Sequence, residues 1–294
     1  MAKKKYELEY ETYQAKADTK VAAAVMGMAA AAVTSPFTIE VRFVGGLNAS
    51  QKKAFKSAAD RWAKMIVGDL PSVMVEGDVI DDVLILAEGS DIDGPGGILG
   101  QAGPTHLRPS TAGSAAFLPA RGVMSFDTAD LKKMEQDGTL VDVITHEMGH
   151  VLGIGTIWSR KDLLKGVGGS NPRFTGKNAM REYGTLRGSG PVLVPVENTG
   201  GQGTRDSHWR ETVFRNELMS GFIAGKNNPL SRMTVASLQD MGYAVNLEAA
   251  EPYILPNLLQ LAEKGLLTAH VAPIDQGMML PIIPSVLPPV SLQI

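Results

Sequence analysis

The stretch ITHEMGHVLGIGT, residues 144–156, contains side chains whose types and spacing could carry metal chemistry. His146 and His150 are four residues apart, so on a helix both imidazoles project from one face and can reach one metal ion. Glu147 lies beside His146, where its carboxylate can reach the coordination position that such an ion leaves open to water. Zinc lowers the pKa of bound water to roughly 7, so this carboxylate can take a proton from the water and pass it on. The pattern H-E-x-x-H is therefore typical of a zinc hydrolase. The alternatives are a chance match or a helix whose histidines pack or cap, but with five histidines in the chain, two in this frame are unlikely by accident.

A zinc site of this kind needs a third protein ligand, and position 156, six residues after His150, is a threonine. Gly153 can end the helix three residues after His150. This favours a chain that turns back toward the metal over a helix that continues and leaves a later glutamate to bind. The residues that could supply the ligand under one arrangement or the other are Glu182, Glu197, Glu211, Glu217, His106, His208 and His270.

Two segments carry a resemblance to known zinc peptidases. The spacing HEMGHVLG resembles the metzincin clan, and NELMSG, residues 216–221, resembles the leishmanolysin family in particular. In that family a long insertion separates the H-E-x-x-H-x-x-G pattern from a third histidine, and a segment of the form N-E-L-M-x-G follows. The resemblance implies that His146, His150 and His208 bind one zinc ion, that Glu147 is catalytic, and that Met219 forms a methionine turn under the metal. It extends over residues 36–253 and is greatest to bacterial-type relatives that lack cysteine.

The resemblance further implies a zinc-dependent endopeptidase that acts on protein or peptide substrates. Because the chain has no cysteine, neither the disulfides of leishmanolysin nor its latency through a propeptide cysteine can carry over. Latency would then depend on another ligand or on steric cover from the first 35 residues. Two rival hypotheses stay open. A non-catalytic, zinc-stabilised structural or adhesion module would have no use for Glu147, and a metal-dependent hydrolase could act on a non-peptide bond.

The elements that must position these residues follow from hydrophobic periodicity. Residues 37–44 alternate apolar and polar side chains, which predicts a strand, and a helix with Phe55, Trp62 and Ile66 on its buried face follows. Further strands are predicted at residues 72–77, 81–89 and 121–127. Residues 89–104, rich in Gly and Pro, are predicted to be a loop in which residues 97–103 could form a short strand. Helices are predicted at residues 128–138 and 139–153, the second of which carries the H-E-x-x-H pattern. Residues 158–206 are predicted to be mostly loop, and further helical segments are predicted at 177–183, 233–241 and 257–265.

This succession, together with the resemblance, predicts an α+β, metzincin-like zincin fold with a twisted mixed sheet, long helices and a loop-rich C-terminal subdomain. We divide the chain into residues 1–35, a leader, pro-segment or flexible N-terminus, and residues 36–155, an N-terminal catalytic subdomain with the active-site helix. Residues 156–253 form a C-terminal catalytic subdomain with His208 and Met219, and residues 254–294 an apolar, proline-rich tail. Extended substrate is expected to pair with the edge strand of the sheet, at residues 98–103 or 122–126.

Composition narrows the function classes. A net charge of −3 offers no basic field for nucleic acid. No run of the sequence reaches the ~18 apolar residues that span a bilayer. Residues 21–33, after the basic start AKKK, resemble the apolar part of a secretory leader, which favours a secreted or extracytoplasmic protein. The acidic residues Glu7, Glu9, Glu11 and Asp18 before this stretch are unusual for a secretory leader, and an Ala-rich helix or a leader-like pro-segment fits about as well. The sequence leaves the oligomeric state open.

Other polar and aromatic residues have competing interpretations. Asp91 and Asp93 in DIDGPGG could hold calcium, but a solvated acidic turn is the more typical structure for this composition. Asp142, one helical turn before His146, could brace a zinc ligand, although a solvated helix position is expected. Trp209, beside His208, could pack against the site or belong to the core.

Overall fold

The computed structural model describes residues 10–29, 31, 35–201, 203–264 and 278–293, and it is an α+β structure. One mixed sheet dominates it, with seven strands among the described residues. These strands are β1 (Glu11–Lys16), β2 (Thr38–Gly45), β5 (Val83–Ser90), β6 (Ile98–Leu107), β7 (Pro119–Asp127), β11 (Met278–Leu280) and β12 (Ser285–Val286). A separate hairpin joins β3 (Val73–Val75) to β4 (Asp78–Ile80). The strands predicted at residues 37–44, 72–77, 81–89 and 121–127 are thus confirmed. The loop predicted over residues 89–104 was wrong for its second half, because β6 begins at Ile98 and is longer than the short strand that was considered there.

The strand order in the sheet is β1-β2-β5-β7-β6-β11, and β12 also pairs with β6. Strands β2, β5 and β7 run parallel, whereas β6 is antiparallel to β7. The near-continuous apolar run of β5 is buried on both faces, as expected for a central parallel strand.

The N-terminal part of the chain closes one side of the sheet. Strand β1 pairs antiparallel with β2, and the short helix α1 (Thr19–Met26) buries Ala22 and Ala23. Asp18 caps this helix by accepting hydrogen bonds from the backbone N–H groups of Lys20 and Val21. The described part of the first 35 residues therefore pairs with the sheet and packs against the core. Its assignment as a leader, a pro-segment or a flexible N-terminus stays a prediction.

The other edge of the sheet, which was predicted to be open for a substrate strand, is covered in the structure. Residues 122–126 lie in β7, which is an interior strand between β5 and β6, so this alternative was wrong. Residues 98–103 lie in β6, but β11 and β12 pair with β6 on its outer side. The tail of the chain covers the edge that was expected to be free. The tail also contains helix α8 (Leu258–Glu263).

Two long helices pack on the sheet and on each other. Helix α2 (Ala49–Met65) begins with a capping box formed by Asn48 and Gln51. Its buried face includes Phe55 and Trp62, and the Trp62 indole N–H donates to the carbonyl of Thr145, 2.9 Å away, in helix α4 (Leu140–Val151). Helix α3 (Thr128–Asp137) precedes α4 and ends at Gly138. The predicted helices are confirmed here, and α4 is buried along almost its whole length.

The region after α4 has long loops between short elements, as predicted. It contains the small strands β8 (Leu164–Lys165), β9 (Arg173–Phe174) and β10 (Val194–Pro195) and the helices α5 (Lys177–Leu186), α6 (Glu211–Phe214) and α7 (Arg232–Met241). Trp158, Phe174 and Trp209 form a buried aromatic cluster at its centre. Trp209 thus belongs to the core, and its indole N–H donates to Thr234 Oγ1. The domain boundaries drawn at residues 155 and 253 stay predictions.

In the part of the chain that the structure describes, every helix is too short or too polar to cross a bilayer.

Candidate metal centre

His146 and His150 lie one turn apart on the same face of α4. Their Nε2 atoms are 3.1 Å apart, and both side chains are buried, with exposed fractions of 5% and 6%. Helical geometry alone explains this pairing, since residues four apart are neighbours on a helix surface.

His208 completes a triangle of nitrogens with the two helical histidines. Its Nε2 atom lies 3.0 Å from that of His146 and 2.9 Å from that of His150. A short backbone ladder holds it there: the His208 carbonyl accepts from Glu197 N–H, and Trp209 N–H donates to the Met219 carbonyl, 2.9 Å in each case. The three histidines, distant in sequence, form one of two groups of potential metal ligands among the described residues.

The other nitrogen of each ring is directed at a backbone carbonyl. His146 Nδ1 lies 2.6 Å from the Leu218 oxygen, His150 Nδ1 lies 2.8 Å from the Ile154 oxygen, and His208 Nδ1 lies 3.0 Å from the Thr204 oxygen. A carbonyl oxygen can only accept, so each Nδ1 carries the proton and each Nε2 presents a lone pair.

The three lone pairs face one another with no proton among them. Burial lowers the pKa of His146 to about 3 and that of His150 to about 4, and it lowers the pKa of His208 well below its usual value. All three rings are therefore neutral near pH 7. Three neutral imidazole donors held by second contacts to carbonyls are a donor set that fits a zinc ion.

Glu147 is a buried carboxylate beside this triangle, with an exposed fraction of 7%. Its side chain lines the same cavity as the three histidines. Burial raises the pKa of Glu147 to about 8. Among the described residues it has no hydrogen-bond partner. Burying a carboxyl group without such a partner costs free energy of folding, so a purely structural role does not explain its position. The carboxyl oxygens of Glu147 are therefore available to bind a proton or a polar ligand in the cavity.

The turn after α4 explains why residue 156 is not a ligand. Gly153 adopts a φ of 108°, and the chain folds back so that the Ile154 carbonyl reaches His150. Gly155 allows a close approach, because a side chain there would lie 1.9 Å from the carbonyl oxygen of Ser207, beside His208. Thr156 donates its hydroxyl to the His150 carbonyl, 2.8 Å away, and so caps the end of the helix.

Met219 lies under the helix that carries the site. Its side chain is fully buried, and a methyl group on Gly149 would lie 2.8 Å from its sulfur. The preceding residue, Leu218, supplies the carbonyl that holds His146. The segment with Met219 thus supports both α4 and one imidazole.

The competing glutamates are used elsewhere. Glu217 accepts from Ser231 N–H, from Met219 N–H and from the hydroxyls of Ser231 and Thr234. Glu197 accepts from the backbone of residues 198, 199 and 211 and from the Thr199 hydroxyl. Glu211 accepts from Phe222 N–H, and Glu182 pairs with Arg232. The first three therefore support the loops around the site, and Glu182 links α5 to α7.

The remaining candidate residues lie apart from the histidine triangle. His106 is in β6, where its Nδ1 contacts the Thr105 hydroxyl, and His270 lies outside the described residues. Asp93 accepts from Ile98 N–H within its own loop, and Asp91 accepts from the Thr128 hydroxyl, which links the loop to the start of α3. The structure gives calcium no further support there.

Asp142 was expected to be solvated, but it is buried. It also does not contact any of the three histidines. It is 8% exposed, and its carboxylate accepts from Asn228 and from Arg61. It therefore ties the first turn of α4 to the loop before α7.

The second group of potential metal ligands is Asp69, Asp81 and Asp82. It surrounds the fully buried guanidinium of Arg108, whose positive charge these carboxylates face. Asp82 also accepts from the backbone N–H groups of Thr38 and Leu70. The group is therefore explained by charge balance and hydrogen bonding.

Sequence reasoning could not identify the carbonyls of Leu218, Ile154 and Thr204, which fix the three imidazoles. They are backbone groups, so no residue type signals them. The Gly-x-Gly at residues 153–155 is the one local signal of a sharp turn at this point.

Comparison with known proteins gives a consistent picture. A sequence model of the leishmanolysin family matches residues 114–262, which include all three histidines and Glu147. A leishmanolysin homolog of Crithidia fasciculata is 30% identical over 137 residues, which cover 42% of this chain and 20% of the relative. A leishmanolysin-like peptidase of Caenorhabditis elegans is 40% identical over 77 residues, which cover 26% of this chain and 11% of the relative.

Leishmanolysin of Leishmania donovani is 27% identical over 133 residues, or 42% of this chain and 22% of the relative. The chain thus spans less than a quarter of the length of these relatives.

Proposed function

The chain belongs to the leishmanolysin family, and on that premise we propose that it is a zinc-dependent endopeptidase. The observation that carries the proposal is the pairing of two features in one cavity. Three unprotonated Nε2 atoms converge on one point, and a buried carboxylate without a partner among the described residues lies beside them.

His146, His150 and His208 would hold the zinc ion, each oriented by a carbonyl at its Nδ1. When bound, zinc polarises a peptide carbonyl and makes water acidic enough to attack it near neutral pH. Met219 and Leu218 would support the metal centre from below, in the position of a methionine turn. This arrangement also supports assignment of the fold to the metzincin type.

Glu147 would act as the general base and then as the general acid. Burial alone raises the pKa of Glu147 to about 8, and a zinc ion beside it would favour the ionised form that accepts the proton. The proton would pass from the attacking water to Glu147 Oε and from there to the nitrogen of the leaving amine. No covalent intermediate is required, and no other carboxylate in the described cavity lies on the turn of helix that carries the two histidines.

Substrates of this reaction would be protein or peptide segments in extended form. The cavity has a volume of about 460 Å³ and lies between α4, the loop with His208 and the edge of β6. A sheet edge beside a metal centre can bind a peptide backbone by strand addition.

The test is hydrolysis of an unstructured protein by the purified chain beside its Glu147→Ala variant, with and without a chelator. Cleavage that disappears in the variant and with the chelator is the expected result. Metal analysis of both proteins completes the test. If both proteins bind zinc and neither cleaves any peptide, the non-catalytic zinc module becomes the better hypothesis.

A further inference from the structure

The edge of β6, where an extended peptide would pair, is occupied by the chain itself. Strand β11 runs parallel to β6 with Met279 beside Gly100 and Leu280 beside Gln101. Strand β12 continues the pairing, with Ser285 beside His106. Both strands come from the C-terminal tail, more than 60 residues after His208 in sequence.

The segment that joins these two strands passes over the metal centre. Met279, Leu280, Pro281 and Ile282 line the same cavity as Glu147 and the three histidines. On the sheet side, Ile282 lies against Gly103, where a methyl group would be 3.4 Å from the Ile282 Cβ atom. On the other side, a methyl group on Gly203 would lie 3.5 Å from the Met279 carbonyl oxygen. Gly203 adjoins Thr204, whose carbonyl holds His208. The segment therefore spans the cleft.

The C-terminal end of this segment is held more firmly than the part over the cavity. After β12, Leu287 is buried, its N–H donates to the Leu107 carbonyl, and Gln293 N–H donates to the Ser72 carbonyl, both at 2.9 Å. Over the cavity the contacts are weaker, because Pro281 and Pro284 have no N–H to donate. Ile283 is 88% exposed. The segment is anchored at its C-terminal end and held over the cleft by only a few pairings.

We propose that residues 278–286 are a built-in ligand of the substrate cleft, which excludes peptides until it is displaced or removed. The proposal rests on the proposed function and adds the regulation of that site. It also indicates the kind of peptide the cleft accepts: an extended segment with large apolar side chains where Met279 and Ile282 now lie. Latency is thus assigned to the C-terminal tail. The described N-terminal part cannot supply it, because β1 lies on the opposite edge of the sheet.

A disulfide lock tests whether the segment seats in the cleft. The chain has no cysteine, so an introduced pair has no competitor. Gln101→Cys with Leu280→Cys places thiols on paired positions, whereas Gln101→Cys with Ile283→Cys offers an exposed partner three residues away. The first pair should oxidise on the order of tenfold faster than the second, since the folded chain holds its thiols together. Equal oxidation rates for the two pairs would contradict the proposed position of the segment in the cleft.

Peptide hydrolysis by the locked protein tests whether the seated segment inhibits. The oxidised double variant, Gln101→Cys with Leu280→Cys, should cleave an apolar peptide substrate on the order of tenfold or more slowly than the same protein after treatment with a phosphine reductant. Equal activity of the two forms would overturn the inhibition while leaving the seating intact. If the lock forms as expected but neither form cleaves, it is the proposed peptidase activity that fails.

A matched pair of substitutions in the full chain gives the opposite effect. Ile282→Asp places a charge against the apolar cavity wall near Glu147, and Ile283→Asp places the same charge in solvent one residue later. The first variant should show a kcat/KM raised several-fold, mainly through a lower KM, because the segment no longer competes. The second should match the parent chain. A parent-like kcat/KM for Ile282→Asp, with the disulfide lock still inhibitory, would overturn the inference that the cleft selects an apolar side chain at the position of Ile282.

Discussion

Two neighbouring regions of this molecule bury glutamates in opposite ways. At the cavity, Glu147 is 7% exposed and has no hydrogen-bond partner among the described residues. In the loops below, Glu217 is fully buried and accepts four hydrogen bonds, from two backbone N–H groups and two hydroxyls. Glu197 and Glu211, likewise buried, also accept backbone hydrogen bonds. We refer to Glu197, Glu211 and Glu217 as the structural glutamates.

Under the proposed function, this difference separates a carboxylate that takes part in the reaction from carboxylates that stabilise the fold. A buried carboxylate without donors destabilises the fold, and it persists only where some other requirement keeps it. A buried carboxylate with a full set of donors stabilises the loops that supply them. The structural glutamates fix the segment that presents Leu218, Met219 and His208, whereas Glu147 keeps its oxygens free for the cavity.

The largest effect on activity is expected at Glu147. Replacing it with Gln keeps the shape of the side chain and removes the proton carrier, so kcat/KM for a peptide substrate should fall about 10²–10⁴-fold. The free energy of unfolding should stay within about 0.5 kcal/mol of the parent value or rise, because no hydrogen bond is lost. Steady-state kinetics and urea titration check the two halves of this prediction. A large loss of stability would place Glu147 among the structural glutamates.

Glu217→Ala should have the reverse profile. Four donors lose their acceptor in a fully buried place, so the free energy of unfolding should fall by about 3–4 kcal/mol. Urea denaturation measures this loss, with Glu263→Ala, an exposed glutamate on α8, as the matched control. The control should change stability by less than about 0.5 kcal/mol. If Glu217→Ala unfolds at the same urea concentration as the control, the four hydrogen bonds do not stabilise the loop.

Sequence patterns were sufficient for the elements that carry periodic signals. The amphipathic helix α2, the H-E-x-x-H helix α4 and the central strands β2, β5 and β7 were predicted because each buries a face at regular spacing. The convergence of His208 with the two helical histidines was implied by family resemblance alone. The 57 residues between His150 and His208 carry no periodicity that would bring them together.

The strands of the tail could not be predicted for a different reason. Strand β11 has three residues and β12 has two, with prolines at positions 281 and 284 between them, and such short pieces show no alternation. Strand β1, with its polar sequence ETYQAK, was missed as well, because it is an edge strand with most side chains exposed. Both misses are at the edges of the sheet, where pairing partners rather than side-chain patterns determine the structure. The sequence could not distinguish the roles of Glu147 and Glu217 either. The two residues are of the same type, and they differ only in the hydrogen-bond donors that the tertiary structure places beside them.

The pH dependence of stability offers a finer comparison among the glutamates. Burial raises the pKa of Glu211 to about 7 from its ordinary value of 4.5. Between these two values the folded protein holds a proton that the unfolded chain has lost, so the contribution of Glu211 to stability falls as pH rises through this window. The fall should amount to at most about 3 kcal/mol.

Glu211→Gln removes this titration and leaves the other groups in place. The difference in unfolding free energy between the variant and the parent chain should therefore grow in favour of the variant from pH 5 to pH 8. Urea titrations of both proteins at several pH values measure it. A difference that is constant with pH would show that the hydrogen bond from Phe222 N–H keeps Glu211 ionised throughout.

The smallest effect on activity is expected at Asp142. It lies on α4, as Glu147 does, but like the structural glutamates it accepts hydrogen bonds that stabilise the fold. Its carboxylate accepts from the backbone and side-chain nitrogens of Asn228, at 3.2 and 3.1 Å, and from Arg61 at 3.3 Å. Asp142→Asn keeps part of this bonding and loses the charge, so the unfolding free energy should fall by about 1–2 kcal/mol. Because Asp142 touches none of the three histidines, kcat/KM measured well below the unfolding transition should equal that of the parent chain. A clear loss of kcat/KM without a loss of stability would instead make Asp142 a positioning residue for His146. Bound zinc measured in the same samples would then show whether the change acts through the metal centre or through the turn that carries Glu147.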